Sequence, residues 1–328
     1  MSMYKIKQLP EDFVVTENSS IIPGKRGKYC YFRLWKRNYN TEDAIKALSE
    51  YLNIPRKLFG YAGTKDRRAI TEQLCSVRGM IRDLELKDLK VSVIGFGDKP
   101  VSLGDLNGNS FEIVVRNIED RPKPVQRVVN CFDEQRFGIR KDNHIIGRLL
   151  IMGDFKGAVE YLTTRDQTNW DKYGWKAYLG KHENDYVGAL RLIPRKILLM
   201  YVHAYESYLW NKCVAMYLEL KGEKMKNIDF PIIGFGTESD DPEIKKICSD
   251  ILCSEGISLR DFIVRQFPEL SCEGSTRKII ADIENLEIGE LEEDELGHKK
   301  KVKVKFYLGA GCYATVVIKK LFDKNTIR

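Results

Sequence analysis

The sequence predicts an α+β protein, and three observations point there. Alternating apolar and polar runs occupy the chain as far as Ile118 and resume after Ser275, the period-two pattern of half-buried strands. From about Gly153 the texture changes to helical spacing. The 328 residues are 43% hydrophobic and 31% charged, enough to bury a real core in one large domain or two ordinary ones. Strands gathered toward both ends and helices in the middle are the segregated arrangement of that class.

Taken in order, MYKIKQLPEDFVVTE alternates on both sides of Pro10, which suits a strand interrupted by a turn. GKYCYFRLWKRNYN follows as a second strand with Tyr29, Tyr31 and Arg33 alternating. Asn40 or Thr41 then caps a helix, with Glu42 and Asp43 at its positive end. Ala44, Ile45, Leu48 and Leu52 form that helix's apolar face. LFGYAG is strand-like, and LKVSVIGFG and GNSFEIVVRNI are two more strands joined by the turn-rich GDKPVSLGDLNGN. The basic residues of this half (Arg78, Arg82, Lys87, Lys90, Lys99, Arg116) are expected for the most part to be surface charge.

In the middle, GDFKGAVEYLTTR has helical spacing, and Arg195 to Leu220 is a long amphipathic helix ending at Gly222. Asp241-Pro242 opens a helix that stops at Gly256, with Pro at the start and Gly at the end as helices prefer. Ser258 to Asp261 has the form of a capping-box start to another. Tyr208 and Trp210 are expected to pack internally. STRKIIADIENLEIGELEEDELGHKKKVKVKFYL restores strand character as a hairpin, with a solvated acidic tip around Glu292 to Glu295 and Lys299 to Lys301 as its counterpart.

Net charge is +7, a mild lean toward polyanionic partners. The eight cysteines are scattered without a CxxC, and the four histidines form no H-x₃₋₅-H pair, which argues against a zinc site. No apolar signal core opens the chain and no run approaches membrane-spanning length. Reduced thiols in a cytoplasm are the simplest reading.

The stretch that carries chemistry is GYAGTKDRRAITEQLC, Gly60 to Cys75. It places one carboxylate, Asp66, between Lys65 and the pair Arg67–Arg68. Opposite charges within a few ångströms favour an ionised carboxylate, which suits a nucleophile better than a proton donor. The same cations would attract phosphates. A tight turn with solvated basic neighbours would look similar on chemistry alone.

The segment closely resembles the hallmark of TruD-type tRNA pseudouridine synthases, Gly-x-Lys-Asp-Arg/Lys-x-Ala-x-Thr-x-Gln, through Gly63, Lys65, Asp66, Arg67, Ala69, Thr71, Glu72 and Gln73. In that family the Asp is the catalytic nucleophile, so the resemblance implies this role for Asp66. The family's opening Lys-x-x-Pro-Glu-Asp-Phe is similar to Lys7, Pro10, Glu11, Asp12 and Phe13. It implies that Phe13 lies at the substrate site and that Lys7 is a charge partner of Asp66.

A second block, Asn-x-Phe-Gly-x-Gln-Arg-Phe-Gly, resembles Asn130, Phe132, Gln135, Arg136, Phe137 and Gly138, with Cys131 and Asp133 departing from it. Asn suits a uracil edge or ribose, and Phe132 supplies a stacking face. Phe137 is expected in the core, and Asp133 is expected to keep the turn because Asp tolerates left-handed backbone.

SYLWN resembles the family's Ser-x-Leu-Phe-Asn helix. At the end of the chain, Gly309-x-Gly311-x-x-Ala314 after a strand has the form of a dinucleotide-binding fingerprint. Too few residues follow Ala314 for the helix, second strand and ribose-binding acid of that unit. FYLGAGCYATVV instead resembles the closing block Leu-Pro-Ala-Gly-Ser-Phe/Tyr-Ala-Thr, with Gly309 and Cys312 departing and Tyr313 at the aromatic position against the target uridine.

The matching blocks run in the family's order from Lys7 to Thr315. They imply a catalytic domain of residues 1–153 and 273–328 with a long mixed, mostly antiparallel sheet, and a mainly helical insertion domain of residues 154–272. They imply conversion of one tRNA uridine, typically position 13 in the D arm, to pseudouridine through a covalent Asp66 adduct, without metal or organic cofactor. Lys7, Phe13, Asn130, Phe132 and Tyr313 would hold the target, and Lys65, Arg67, Arg68 and Arg136 the RNA. The rivals are a non-catalytic RNA-binding protein of the same fold and a nucleotide-dependent oxidoreductase.

Overall fold

The computed structural model of the chain describes residues 4–165, 173–222 and 226–322. In chain order its elements are β1 (Phe13–Asn18), β2 (Tyr29–Arg37), α1 (Thr41–Leu52), β3 (Phe59–Tyr61), β4 (Ile70–Arg78), β5 (Leu84–Leu86), β6 (Leu89–Gly97), β7 (Gly108–Ile118) and β8 (Arg127–Val129). There follow α2 (Asn143–Ile151), α3 (Phe155–Arg165), α4 (Trp175–Leu179), α5 (Tyr186–Arg191), α6 (Arg195–Lys221), β9 (Asp229–Ile232) and α7 (Pro242–Glu255). The last are β10 (Ser275–Lys278), β11 (Ile280–Asp282), β12 (Glu284–Ile288), β13 (Glu292–Glu293), β14 (Lys300–Gly309) and α8 (Ala314–Phe322).

Two compact units result, residues 1–129 with 281–328, and residues 130–280. The first is built on a ten-stranded sheet of order β12-β14-β7-β1-β4-β2-β6-β5, with β13 on β14 and β3 on β4. It is mixed and mostly antiparallel, as expected: β1 and β4 run parallel, while β1–β7, β2–β4, β2–β6 and β7–β14 are antiparallel. One apolar cluster joins Phe13, Val15, Phe111, Ile113, Val304 and Phe306 to Val317 and Ile318 of α8. Another joins Phe32, Leu34, Cys75 and Val77 to Ala44, Ile45 and Leu48 of α1. Asn40 caps α1, its Oδ1 accepting the Asp43 N–H at 2.7 Å, and full burial of Ile45 and Leu48 contributes roughly 1.5–3 kcal/mol each.

The second unit is helical around α6, which Gly222 terminates, while Asp241 caps α7. It begins at Asn130 and ends at Ile280 rather than spanning 154–272, and packing explains the difference. Helix α2 lies so close on α6 that a Cβ on Gly147 would meet the Tyr201 carbonyl oxygen at 2.0 Å, and β10 pairs with β9. Both therefore belong with the helices.

Three other expectations give way. The Ser258–Asp261 capping box forms but starts only a short 3₁₀ turn, Leu259–Phe262. Phe262, Val264 and Phe267 all turn inward, a spacing no single helical face provides. Arg116 is 3% exposed rather than surface charge. It pairs with Asp12 at 2.8 Å, Asp294 at 2.7 Å and Glu295 at 3.0 Å, so the acidic tip is in part a buried counter-ion. Asp133 needs no left-handed backbone: at φ −85° and ψ 169° it is extended.

Candidate active site

Pairing direction brings the site together. Because β1 and β4 are parallel with Val14 opposite Ile70, the segments leading into both strands lie at the same end of the sheet. Lys7 precedes β1 and Asp66 precedes β4. Strand β2 is antiparallel to β4 and ends there too, with Lys36 opposite Thr71 and Arg37 opposite Ile70. The start of α1 follows directly.

At that end the Lys7 ammonium lies 2.5 Å from Asp66 Oδ2, with 21% and 26% of the two side chains exposed. Lys7 has a φ of +56°, an uncommon conformation for a residue that is neither Gly nor Asn. Its Nζ also sits 4.1 Å from the centre of the Phe13 ring. Phe13 is 4% exposed and packs edge-on to Phe111, so most of its ring belongs to the core.

The Asp66 loop is held from beneath by polar groups at strand positions that face inward. In β2, Cys30, Phe32, Leu34 and Lys36 share the buried parity. Lys36 is fully buried and donates to the Asp66 backbone carbonyl at 3.0 Å and the Tyr39 carbonyl at 2.5 Å. Burial pushes its ammonium down to about 8, while the charge of Asp66 opposes that shift. In β1, Glu17 follows Phe13 and Val15 on the buried side. It binds the Lys65 ammonium at 2.5 Å and accepts the Leu74 N–H at 3.1 Å.

The Lys65 N–H donates to Thr41 Oγ1 at 2.9 Å. That hydroxyl donates to Gln73 Oε1 at 2.8 Å, and Gln73 Nε2 donates to the Gly63 carbonyl at 2.9 Å. Three signature residues, Gly63, Lys65 and Gln73, are thus braced through Thr41 beside Asp66. Lys65, expected to face RNA, instead has its ammonium against Glu17. Arg67 and Arg68 are exposed, with Arg68 Nη2 donating to the Gln8 carbonyl at 3.0 Å.

The second family block forms its own cluster in the other unit. Asn130 donates from Nδ2 to the Lys278 carbonyl at 3.1 Å, and its Oδ1 accepts from Arg277 at 2.6 Å. The Arg277 guanidinium lies 4.2 Å from the centre of the Phe132 ring. Asn211, on α6, exchanges two 2.9 Å hydrogen bonds with the Phe132 backbone. Arg136 Nε donates to Ser207 Oγ at 3.0 Å. The Ser and Asn of SYLWN therefore secure Arg136 and Phe132. Phe137 is half-buried, edge-on to His144, and Tyr208 stacks on His144 rather than entering the core, while Trp210 is fully buried.

Tyr313 is half-buried one residue before α8, not in a strand. Strand β14 ends with Gly309 opposite Gly108, which pairs with Asn18; this is the other end of β1 from Phe13. A strand–turn–helix does follow the Gly309–Ala314 pattern, but α8 packs into the core cluster of the sheet.

Lys36, Glu17 and Arg277 were not singled out from the sequence, and Thr41 only as a candidate helix cap. For Lys36 and Glu17 a signal existed: each continues an apolar alternation with a charge. Arg277 left none. Among the described residues, the group of donors able to hold a metal is His203, Glu206 and Cys272, which does not include Asp66. No described helix is long and apolar enough to cross a membrane.

The family model for tRNA pseudouridine synthase D (TruD) matches residues 3–177, 175–229 and 216–321. The "Probable tRNA pseudouridine synthase D 2" of Methanocaldococcus jannaschii is 33% identical, covering 97% of this chain and 91% of its own length. The "tRNA pseudouridine synthase D" of Aquifex aeolicus is 29% identical, covering 97% of this chain and 98% of its own. A crystal structure of a TruD from Methanosarcina mazei is similar at a TM-score of 0.74 and 27% identity, covering 99% of this chain and 95% of that one.

Proposed function

Because the chain belongs to the tRNA pseudouridine synthase D family, we propose that Asp66 is the nucleophile with which it isomerises one uridine of tRNA, position 13 of the D arm, to pseudouridine. The observation that carries this reading is the Lys7–Asp66 pair, 2.5 Å apart and partly open to solvent, on a loop braced by buried hydrogen bonds. The target nucleotide leaves its helix to expose the glycosidic bond. An Asp66 oxygen then bonds either to uracil C6 or to ribose C1′ as the N1–C1′ bond is broken. The freed uracil turns, C5 bonds to C1′, the aspartyl bond breaks, the C5 proton passes to solvent and N1 takes up a proton.

Lys7 pairs with the Asp66 carboxylate before attack. Once the carboxylate is esterified, the ammonium is available to the negative charge developing on the base. Asn130, pre-oriented by Arg277, and Phe132 are assigned to the target nucleotide; Tyr313, four residues past a strand that ends at the far end of β1, is assigned to it on the family resemblance alone. Phe13 supports Lys7 through its ring. Arg67, Arg68 and Arg136 meet phosphates, while Lys65 acts through the loop. The decisive experiment is mapping pseudouridine in unmodified tRNA incubated with the purified protein alone. A single new pseudouridine at position 13, absent with Asp66→Asn, is expected; modification elsewhere only, or none, overturns the assignment.

A further inference from the structure

His203 and Glu206 stand three residues apart on α6 and so share one face, with Nδ1 2.7 Å from Oε2. Cys272 approaches from the loop before β10, its N–H donating to the Phe262 carbonyl at 3.1 Å and its carbonyl accepting the Phe235 N–H at 2.9 Å. One donor atom from each residue lies within 4.8 Å of the other two. Tetrahedral zinc sites hold nitrogen and oxygen at about 2.0–2.2 Å and sulfur at about 2.3 Å, so donors of one ion lie within about twice those distances of one another, the range this group occupies. Metal-binding bundles also use a carboxylate and a histidine three residues apart on one helix, in the order Glu-x-x-His, the reverse of the order here.

The surroundings fit an ion. The Glu206 carboxylate is 9% exposed, and with a Cys272 thiolate it would balance a divalent charge. Burial first, and Glu206 second, push the Cys272 thiol up to about 12, so without metal the thiol keeps its proton beside the carboxylate. All three residues line a cavity of about 410 Å³, shared with Phe132, Arg136 and Glu273, which leaves a ligand position open.

We propose that His203, Glu206 and Cys272 bind a divalent transition ion of the zinc class, with the remaining position open to this cavity. Binding forms a sulfur–metal bond and sends the thiol proton to solvent, with no change of oxidation state. The proposal is independent of the role of Asp66. Sequence spacing argues against zinc because it registers paired Cys and His, whereas this set is assembled only by the packing of the Cys272 loop on α6.

The test uses the full chain, stripped with chelator, dialysed, and titrated with Co²⁺ and then Zn²⁺. One equivalent should bind, with a thiolate-to-cobalt charge-transfer band that zinc abolishes and about one proton released per ion. Cys272→Ser should lose the band and bind zinc roughly a hundredfold more weakly or worse, since even outer partners of a ligand contribute ten- to a hundredfold. His203→Ala, at a half-exposed position, should weaken zinc binding similarly and decides the matter if the serine variant does not fold. No band with the wild type, a band unchanged in Cys272→Ser, or unaltered zinc affinity in His203→Ala would overturn the proposal.

Discussion

Asp66 is reachable from solvent at its carboxylate and pinned at its carbonyl, so two substitutions separate chemistry from placement. Asp66→Asn keeps the size and removes the nucleophile. It should abolish pseudouridine formation with fold and tRNA affinity largely intact, and turnover within about tenfold of wild type would sink the assignment. Lys36 acts through the Asp66 carbonyl. Its folded-state value is depressed to about 8, whereas the unfolded chain holds that proton to about 10.4. Between these values the unfolded state binds more protons, so this group makes stability rise with pH. Activity should do the opposite, falling as pH passes about 8 and the ammonium loses its charge and a donor. Lys36→Met should be slower and lack that alkaline fall, so a fall of the same size in rate–pH profiles of the variant would refute the positioning role. Arg67 and Arg68 differ from both. Alanine at either should weaken tRNA binding and lower the slope of log affinity against log salt by about 0.7–0.9, read from filter binding across a salt series.

At the scale of elements, the β3–β4 loop is clamped by residues of three others: Lys36 from β2, Thr41 from α1 and Gln73 from β4. Gln73→Leu would leave the Thr41 hydroxyl and Gly63 carbonyl short of partners, a cost of about 1–3 kcal/mol. Tyr313 stands one residue before α8, and there the aromatic and structural roles part. Tyr313→Phe should retain most activity. Tyr313→Leu should lose about ten- to a hundredfold if its ring meets a base, since base stacking is worth roughly 1–3 kcal/mol. Melting curves and single-turnover rates on the same preparations distinguish this from a packing defect: a much lower melting temperature with normal turnover by the folded fraction would remove Tyr313 from the site.

Across the sheet-based unit, Arg116 ties the Pro10–Asp12 turn to β7 and to the acidic loop before β14. Hydrogen bonds from Arg116 and then Lys301 hold Glu295 down at about 2. Asp294 is also lowered: burial opposes this, but the Leu296 N–H and Arg116 outweigh it. Depressed carboxylates stabilise the fold above their unfolded values, and that contribution is lost as pH falls through the folded ones. Melting temperature should therefore drop as pH falls from about 4.5 toward 2. Asp294→Asn should lower it at neutral pH, by an amount equivalent to about 1–3 kcal/mol for a charge-assisted bond, and flatten the acid dependence. An unchanged melting profile in Asp294→Asn would show that the clamp adds no stability.

Periodicity and punctuation were enough to place β1, β2, α1, α6 and α7, because alternation, Asn40, Asp241-Pro242 and the terminal glycines act within a few residues of where they stand. The signature also singled out Asp66 and, through the opening block, Lys7. Sequence alone assigned Lys65 and Arg116 to solvent or RNA, since a charge carries no local mark of its partner. Glu17 lies 48 residues from Lys65 and Asp294 178 residues from Arg116, and only the sheet's strand order brings such pairs together. The parallel pairing of β1 with β4 likewise decided that Lys7 would meet Asp66. Local propensity acts along the chain, whereas burial of a charge depends on which strand lies beside it, and that is settled only when the whole sheet has formed.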